Sequence, residues 1–281
     1  MRKLRRGVLA LGLVLIPFVV QADTNTEIYG EYQHLLDDYL IEEKSSENGL
    51  VAAFDYDQAL ADDQLKQRLS NQRQALREFD PESLTEKRES IAFWINAYNF
   101  FMIEQLLTEQ PDGELVSSVW DYGGKINPFV DSVFERENFN IGGHKYSLDR
   151  IEKGILLGDE YQAKGWKDAR IHFSVNCAAV GCPALRQQIY TADNLEALLA
   201  GNTRWAFKTP RHLQVKSGRL HVTELFKWYE ADFVEASGSA RAFIQEWADP
   251  DVAERVSSSS GMAFIDYDWR LNRPDNFPEF R

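Results

Sequence analysis

Hydrophobic residues recur at helical spacing over most of the chain. In the segment EIYGEYQHLLDDYLI the aromatic and leucine side chains follow one another at intervals of three and four, which predicts an amphipathic helix. We expect the whole region from 24 to about 110 to be helical. Within it, Pro81 is expected to open a helix that runs through ESLTEKRESIAFWINAYNFFMIEQLL and ends near Pro111.

The second half of the chain alternates between helical and extended patterns. KYSLDRIEKGILL predicts a short helix with Ser147 as its N-cap and Asp149 in its first turn. TADNLEALLAGNTRWAF, LFKWYEADF and SARAFIQEWA predict further helices, and VSSSSG predicts a polar loop. HLQVKSGRLHVTEL predicts a hairpin around Ser217 and Gly218, and AFIDYDW predicts a terminal strand.

Residues 171–176 alternate as a strand does, and Pro183 is expected to begin a helix. No long linker or repeat divides the chain. The predicted fold class is therefore α+β, a helix-rich single domain over residues 23–281 with a small, mostly antiparallel sheet.

Three polar residues interrupt an otherwise apolar segment, ESIAFWINAYNFFMI. A helix that is apolar on most of its circumference is usually central. At 100° per residue, Glu89, Asn96 and Asn99 lie on one face of it. Three interpretations stay open: a structural network that ties the helix to a neighbouring loop, a polar floor beneath a functional site, or a network that holds the cysteine segment in place.

The first 22 residues have the organisation of a secretory signal peptide. Four basic residues precede an apolar stretch of 14 residues, Gly7 to Val20, and small residues stand at the cleavage positions before Asp23. We therefore expect a periplasmic or secreted protein, with an uncleaved N-terminal anchor as the alternative.

The charge balance narrows the class of partner. Removal of residues 1–22 takes four positive charges from the chain, so the formal net charge changes from −13 to −17. An acidic protein of this kind is not expected to bind nucleic acid. No later segment is apolar for long enough to span a membrane. The expected partner is a small molecule or another protein of the cell envelope.

The segment IHFSVNCAAVGCPALR contains both cysteines of the chain. On a regular strand His172 and Cys177 would point to opposite sides. If Pro183 begins a helix, Cys182 is its N-cap, where the helix dipole lowers the pKa of a thiol.

Three interpretations of the cysteines stay open. The first is a Cys177–Cys182 disulfide, which an exported protein favours. The second is a catalytic thiol with His172 as its base, or a histidine brought from elsewhere in the fold. The third is a pair of buried, reduced and inert cysteines. Two cysteines and one histidine at these spacings match no zinc pattern, and no cofactor motif occurs, so neither a metal nor a cofactor is predicted.

Five blocks together resemble the family called domain of unknown function 547: ESIAFWINAYNFFMI, YSLDRIEKGIL, IHFSVNCAAVGCPALRQQIYTADNLEALL, LFKWYEADF and IDYDWRLN. The resemblance covers about residues 85–275. The recurrent positions of the family correspond to Glu89, Asn96, Tyr98, Asn99, Glu152, His172, Cys177, Cys182 and Pro183. The chain departs from the family at Lys153, where many members carry histidine. Some eukaryotic members join the domain to glutaredoxin-like or DEP modules, which hints at thiol chemistry or signalling scaffolds.

Two hypotheses follow for the function. In the first, the protein is a cysteine-dependent hydrolase or acyl transferase. Cys177 or Cys182 is its nucleophile and His172 its base, with Glu89, Asn96, Asn99 and Glu152 as polar support. In the second, it is a non-catalytic envelope module for binding or scaffolding, and the Cys177–Cys182 disulfide shapes a binding loop.

Overall fold

The computed structural model describes residues 23–124 and 131–280, and the predicted signal peptide, residues 1–22, lies outside the described residues. Helices dominate, and the strands form small separate sheets. The helices are α1 Thr24–Ile28, α2 Gly30–Tyr39, α3 Tyr56–Leu60, α4 Leu65–Glu78, α5 Lys87–Thr108, α6 Asp159–Ala163, α7 Leu195–Ala206, α8 Leu225–Trp228, α9 Glu230–Ser237, α10 Ala240–Trp247 and α11 Pro250–Ser258. The strands are β1 Leu40–Ser45, β2 Gly49–Phe54, β3 Phe139–Ile141, β4 His144–Tyr146, β5 Leu213–Lys216, β6 Arg219–Thr223 and β7 Ser260–Ile265.

The pairing of the strands is mostly antiparallel, as predicted. β1 pairs with β2, β3 with β4 and β5 with β6 in antiparallel hairpins, whereas β7 adds to β6 in parallel. The β5–β6 hairpin turns at Ser217 and Gly218, whose φ angles are +50° and +72°. A two-residue turn with both φ angles positive suits the twist of a hairpin, which is why this pair was recognisable in the sequence. The predicted α+β, helix-rich class is confirmed.

Helix α5 is the centre of the molecule. Residues 90–107 are all buried, because apolar side chains cover most of the circumference of this helix. The main hydrophobic core surrounds it. A second core gathers five phenylalanines of the C-terminal half: Phe173, Phe207, Phe226, Phe233 and Phe243. A short helical segment, residues 169–173, connects the two cores, because Ile171 belongs to the first and Phe173 to the second.

Several local predictions were wrong. Pro81 does not open the long helix: it begins a 3₁₀ turn, Pro81–Ser83, and α5 begins only at Lys87. The region 24–110 is not helical throughout, because the β1–β2 hairpin occupies 40–54. Residues 171–176 are not a strand: Ala169–Phe173 form a 3₁₀-helix that begins where the Asp168 carboxylate accepts the Arg170 N–H at 2.9 Å. The segment VSSSSG is not a loop but the junction of α11 and β7. In residues 171–176 the side chains of both alternating faces are buried. A segment buried on both faces cannot be identified as a strand from its hydrophobic periodicity alone.

Candidate functional site

The two cysteines form a disulfide, so the first interpretation of the cysteine segment is confirmed. Cys177 and Cys182 are bonded through their sulfurs, with Cα atoms 6.1 Å apart, and the described residues contain no free cysteine. The Cys182 sulfur also accepts the N–H groups of Cys177 at 3.0 Å and of Ala179 at 3.3 Å. Between them, Ala178 adopts a φ of +58°, so the chain reverses in a tight turn.

The prediction that Pro183 begins a helix was wrong, and with it the prediction that Cys182 is a helix N-cap. Residues 183–186 have no regular secondary structure. The carbonyl of Pro183 instead accepts the Asn176 side-chain amide at 2.7 Å. No helix dipole therefore faces Cys182. A depressed thiol pKa at that position loses its physical basis.

Buried asparagines hold the cysteine turn in place. Asn99 of α5 donates to the Ser174 carbonyl at 2.9 Å and accepts the Asn176 N–H at 2.8 Å. The Asn176 side-chain oxygen in turn accepts the Ala178 N–H at 2.8 Å and the Asn272 amide at 3.1 Å. The central helix is thus connected through polar side chains to both the cysteine turn and the C-terminal segment.

The other two polar residues of the predicted stripe lie elsewhere. Asn96 is fully buried and exchanges two hydrogen bonds with the main chain of Tyr190, at 2.7 and 2.8 Å. Glu89 is only half-buried and lies in the first turn of α5, roughly 10 Å along the axis from Asn96. The structure therefore brings Asn99 to the cysteine segment but not Glu89, and it assigns Asn96 to the segment that leads into α7.

A cavity of about 170 Å³ lies against the disulfide, and we call it the aromatic cleft. Its lining residues are Tyr98, Trp120, Phe134, Asp149, Glu152, Lys153, His172, Val175, Cys177, Pro183, Leu225, Trp228, Tyr229, Tyr267 and Trp269. His172 and Cys177 both line it, although regular strand geometry would have separated them. Both line the same cavity because residues 169–173 coil into a 3₁₀-helix instead of continuing as a strand.

Glu152 comes from an unusual element. Residues Arg150–Leu156 form a π-helix, in which the Leu157 N–H bonds to the Glu152 carbonyl at 2.9 Å. The Ser147 hydroxyl accepts the Arg150 N–H at 3.1 Å, and Asp149 is the N-cap residue rather than part of the first turn. Short π-helical segments are often found at functional sites, where they redirect a side chain. Here the segment carries the buried carboxylate that lines the cleft.

His172 lies between two carboxylates. Its Nε2 contacts the Asp232 carboxylate at 2.9 Å, and its Nδ1 lies 3.7 Å from that of Glu152. Burial opposes the charged imidazole, but the hydrogen bond with Asp232 and the charge of Glu152 outweigh it, so the pKa of His172 is raised. The ring also stacks on Tyr229 with centroids 4.0 Å apart. His172 is therefore fixed in one orientation by contacts on both nitrogens and on one face.

Aromatic side chains form one wall of the cleft. Trp269 lies 4.6 Å from Tyr267, 5.0 Å from Trp120 and 5.7 Å from Trp228, measured between ring centroids. The Tyr267 hydroxyl contacts the Cys177 sulfur at 3.3 Å, so this wall is attached directly to the disulfide.

Glu152 faces several phenols of the cleft. Burial raises the pKa values of Tyr98, Tyr229 and Tyr267, and the negative charge of Glu152 is the next cause in each case. The charge of Glu152 therefore affects the pKa values of three tyrosines that line the cavity.

Sequence reasoning missed most of this wall, although the signal was present. Trp228, Tyr229 and Asp232 belong to the block LFKWYEADF, and Tyr267 and Trp269 to IDYDWRLN. Both blocks supported the resemblance without being assigned to the site. Both blocks combine tryptophan and tyrosine with acidic residues. That composition could have indicated that they line a binding site.

A wider groove of about 600 Å³ lies on another part of the described surface, over Arg73, Glu104 and Lys145. It is open and polar, and none of the predicted site residues lines it. Burial raises the pKa of Glu104 to about 7, while Arg73 at 2.9 Å opposes that change. This groove lacks the apolar enclosure that small-molecule sites usually have, so the aromatic cleft is the stronger candidate.

Comparison with known families gives one result. Residues 81–205 match the sequence model of the family described as Protein of unknown function, DUF547. The match supports this domain family for that segment, which is fewer than half of the 281 residues. No curated protein and no solved structure is significantly similar to the chain.

The DUF547 segment contributes only part of the cleft. It contains Glu152, His172 and both cysteines, whereas Trp228, Tyr229, Tyr267 and Trp269 lie beyond it. Lys153, where the sequence is expected to depart from the family, pairs through its ammonium group with Asp149 at 2.8 Å. Within residues 23–124 and 131–280, no helix combines the length and apolar composition that a membrane span requires.

Proposed function

We propose that the protein is an exported, non-catalytic module that binds a small molecule in the aromatic cleft. The observation that carries this proposal is the position of the disulfide: Cys177 is part of the cleft wall and its sulfur is already bonded to Cys182. A bridged sulfur shapes a wall but is not a nucleophile, because only the thiolate attacks.

The dimensions of the cleft support binding. An apolar cavity of about 150 Å³ in another protein is large enough to hold benzene. The aromatic cleft has about 170 Å³, and its lining combines several aromatic rings with few charged groups. Such a composition is typical of small-molecule sites, in which apolar walls supply the affinity and a few polar groups fix the orientation.

Export is supported by the organisation of residues 1–22 and by the disulfide, because such bonds persist in oxidising compartments. Cell fractionation and the mass of the mature chain test this part. We expect the protein in the periplasm or the medium, with a chain that begins near Asp23. A full-length chain in the cytoplasm would contradict export. It would not bear on the binding proposal, which is tested separately.

Binding is tested with small organic probes by saturation-transfer NMR on the oxidised protein. The probes are phenol, choline and 3,3-dimethylbutan-1-ol. We expect at least one to bind wild type and to lose binding in Trp269→Ala, which removes the central ring of the wall. Trp247→Ala is the matched control, because Trp247 is equally half-buried but packs against Phe243 outside the cleft. Absence of binding, or binding that Trp269→Ala leaves intact, refutes the proposal.

A cysteine-dependent hydrolase or acyl transferase is the second candidate. One observation favours it: His172 lines the cleft together with Cys177 and is oriented by Asp232, as a general base requires. After reduction of the bridge by an external thiol, His172 would take the proton of the Cys177 thiol, and the thiolate would attack an acyl carbonyl. The bond to the alcohol or amine of the substrate would break, with the proton passing from His172 to that leaving group. Water or another acceptor would then attack the thioester and release the Cys177 thiol. Of the two sulfurs, Cys177 is the better placed, because Cys182 is buried.

A count of free thiols separates the two candidates. The binding module has no thiol that reacts with iodoacetamide before reduction, whereas the hydrolase has one that reacts rapidly in the native protein. Cys177→Ser and Cys182→Ser identify which sulfur reacts. A rapidly reacting thiol in freshly exported protein would favour the hydrolase over the binding module.

A further inference from the structure

The charges around the aromatic cleft are unequally paired. Lys153 pairs with Asp149 at 2.8 Å, and Asp232 pairs with both Lys167 at 2.8 Å and His172 at 2.9 Å. The remaining acidic group of the lining is Glu152, whose carboxylate lies 3.7 Å from His172, beyond hydrogen-bond length for that contact. Of these three carboxylates, Glu152 therefore has the longest contact with a basic group, and it shares that group, His172, with Asp232.

The rings that line the same cleft as Glu152 are electron-rich. Trp228, Trp269 and Tyr267 lie within 6 Å of one another, measured between centroids. The face of such a ring attracts a cation, and the attraction is strongest where water is excluded. A carboxylate that lines the same cavity adds a second attraction for positive charge.

From this arrangement we infer that the ligand of the aromatic cleft is a small organic cation, an alkylated ammonium group with Glu152 as its counter-ion and the tryptophan and tyrosine rings as its walls. The inference rests on the proposed binding function and specifies its ligand class. A metal ion suits the cleft poorly, because apart from the carboxylates its lining is largely aromatic and metal ions need several oxygen, nitrogen or thiolate ligands.

The enclosure discriminates between kinds of cation. Alkyl groups on nitrogen spread the charge and offer an apolar surface to the rings, whereas an ammonium ion with three N–H bonds would leave donors without partners against aromatic faces. An inorganic cation would also have to give up its hydration shell. The cleft therefore favours a methylated or quaternary amine over Na⁺, K⁺ or a primary amine.

The test compares two probes of nearly identical shape by isothermal titration calorimetry. Choline carries a trimethylammonium group, and 3,3-dimethylbutan-1-ol has a neutral tert-butyl group in the same place. We expect choline to bind wild type at least about tenfold more tightly. In Glu152→Gln, which keeps the shape and removes the charge, this preference should largely disappear.

Glu254→Gln is the matched control, because Glu254 is exposed on α11 and its removal changes the net charge equally. It should leave the choline preference unchanged. Trp228→Ala is the second test, because Trp228 is 41% exposed and its loss should not prevent folding. It should weaken choline several-fold more than the neutral probe, and an undiminished preference in that variant overturns the inference even if Glu152→Gln fails to fold.

The remaining outcomes separate this inference from the proposed function. Equal affinity for choline and its neutral counterpart overturns the cation inference and leaves small-molecule binding standing. Binding of phenol without either of the other probes has the same meaning. Absence of binding for all three probes overturns both.

Discussion

Replacement of Asn99 by alanine tests the connection between the central helix and the cysteine turn. The Asn99 side chain is 3% exposed, donates to Ser174 and accepts from Asn176. The substitution removes both bonds and leaves two buried main-chain groups without partners. Each such group costs about 1–3 kcal/mol, so we expect a loss of about 2–6 kcal/mol in the free energy of unfolding.

That loss is a large fraction of the 5–15 kcal/mol typical of a domain, so it is measurable by guanidinium denaturation under non-reducing conditions. The midpoint should fall while the m-value stays constant. Asn71→Ala is the control, because Asn71 is exposed on α4 and bonds Glu31 at the surface. Its effect should be within about 0.5 kcal/mol.

Asn99→Asp sharpens the test. The carboxylate keeps the acceptor for Asn176 but loses the donor to Ser174 and buries a charge, so the variant should be destabilised at pH 7. On protonation the acid regains a donor, so part of the stability should return as the pH is lowered toward 5. An Asn99→Ala variant within about 0.5 kcal/mol of wild type would refute the assignment of Asn99 to the cysteine turn.

Three further perturbations probe the core, the cleft wall and the disulfide. The pKa of Glu104 is raised to about 7, so between about 4.5 and 7 the folded state binds more protons than the unfolded state, and stability falls by up to about 3 kcal/mol as pH rises. Glu104→Gln should flatten that dependence in denaturation midpoints measured from pH 5 to 8, and an unchanged slope would contradict it. Gly181→Ala places a Cβ 2.9 Å from the Tyr267 ring, so it should destabilise the protein by about 1–3 kcal/mol in thermal melts and weaken probe binding. Unchanged stability and binding would show that Gly181 and the Tyr267 ring are not so closely packed. The Cys177→Ala, Cys182→Ala double variant should lose about 2 kcal/mol in the free energy of unfolding, measured by denaturant titration. A much larger loss would contradict the expectation that the disulfide stabilises the protein mainly by closing a short loop.

The sequence predicted elements whose signal is local. Helix α5 follows from an apolar segment too long and too uniform for a strand, and the β5–β6 hairpin follows from a Ser-Gly pair suited to positive φ angles. The β1–β2 hairpin was missed because every residue of β2 is buried, and a short apolar run of that kind is indistinguishable by pattern from a helical segment.

The candidate site was predictable only in part, because its two halves lie far apart in the chain. The cysteine turn and Asn99 were identified from composition and helical phase. The contact of Tyr267 with Cys177 joins residues 90 positions apart, and no periodicity encodes such a contact. The 3₁₀ turn that brings His172 to the cleft depends on Asp168 and on tertiary burial, so strand alternation gave the wrong orientation.

The magnitudes also indicate what the disulfide contributes to the cleft. Closing a loop of about six residues contributes only about 2 kcal/mol in the chain-entropy model. Asn176 alone takes part in four hydrogen bonds, with Asn99, Pro183, Ala178 and Asn272, each with a typical net contribution of about 1 kcal/mol. The asparagines therefore hold the main chain of the turn, and reduction should leave its course largely intact. Reduction instead changes the chemistry of the cleft, because it places a thiol in the same cavity wall that His172 lines. For this reason the redox state must be fixed in every binding or activity measurement, since binding by the oxidised protein and thiol chemistry by the reduced protein are compatible with the same backbone.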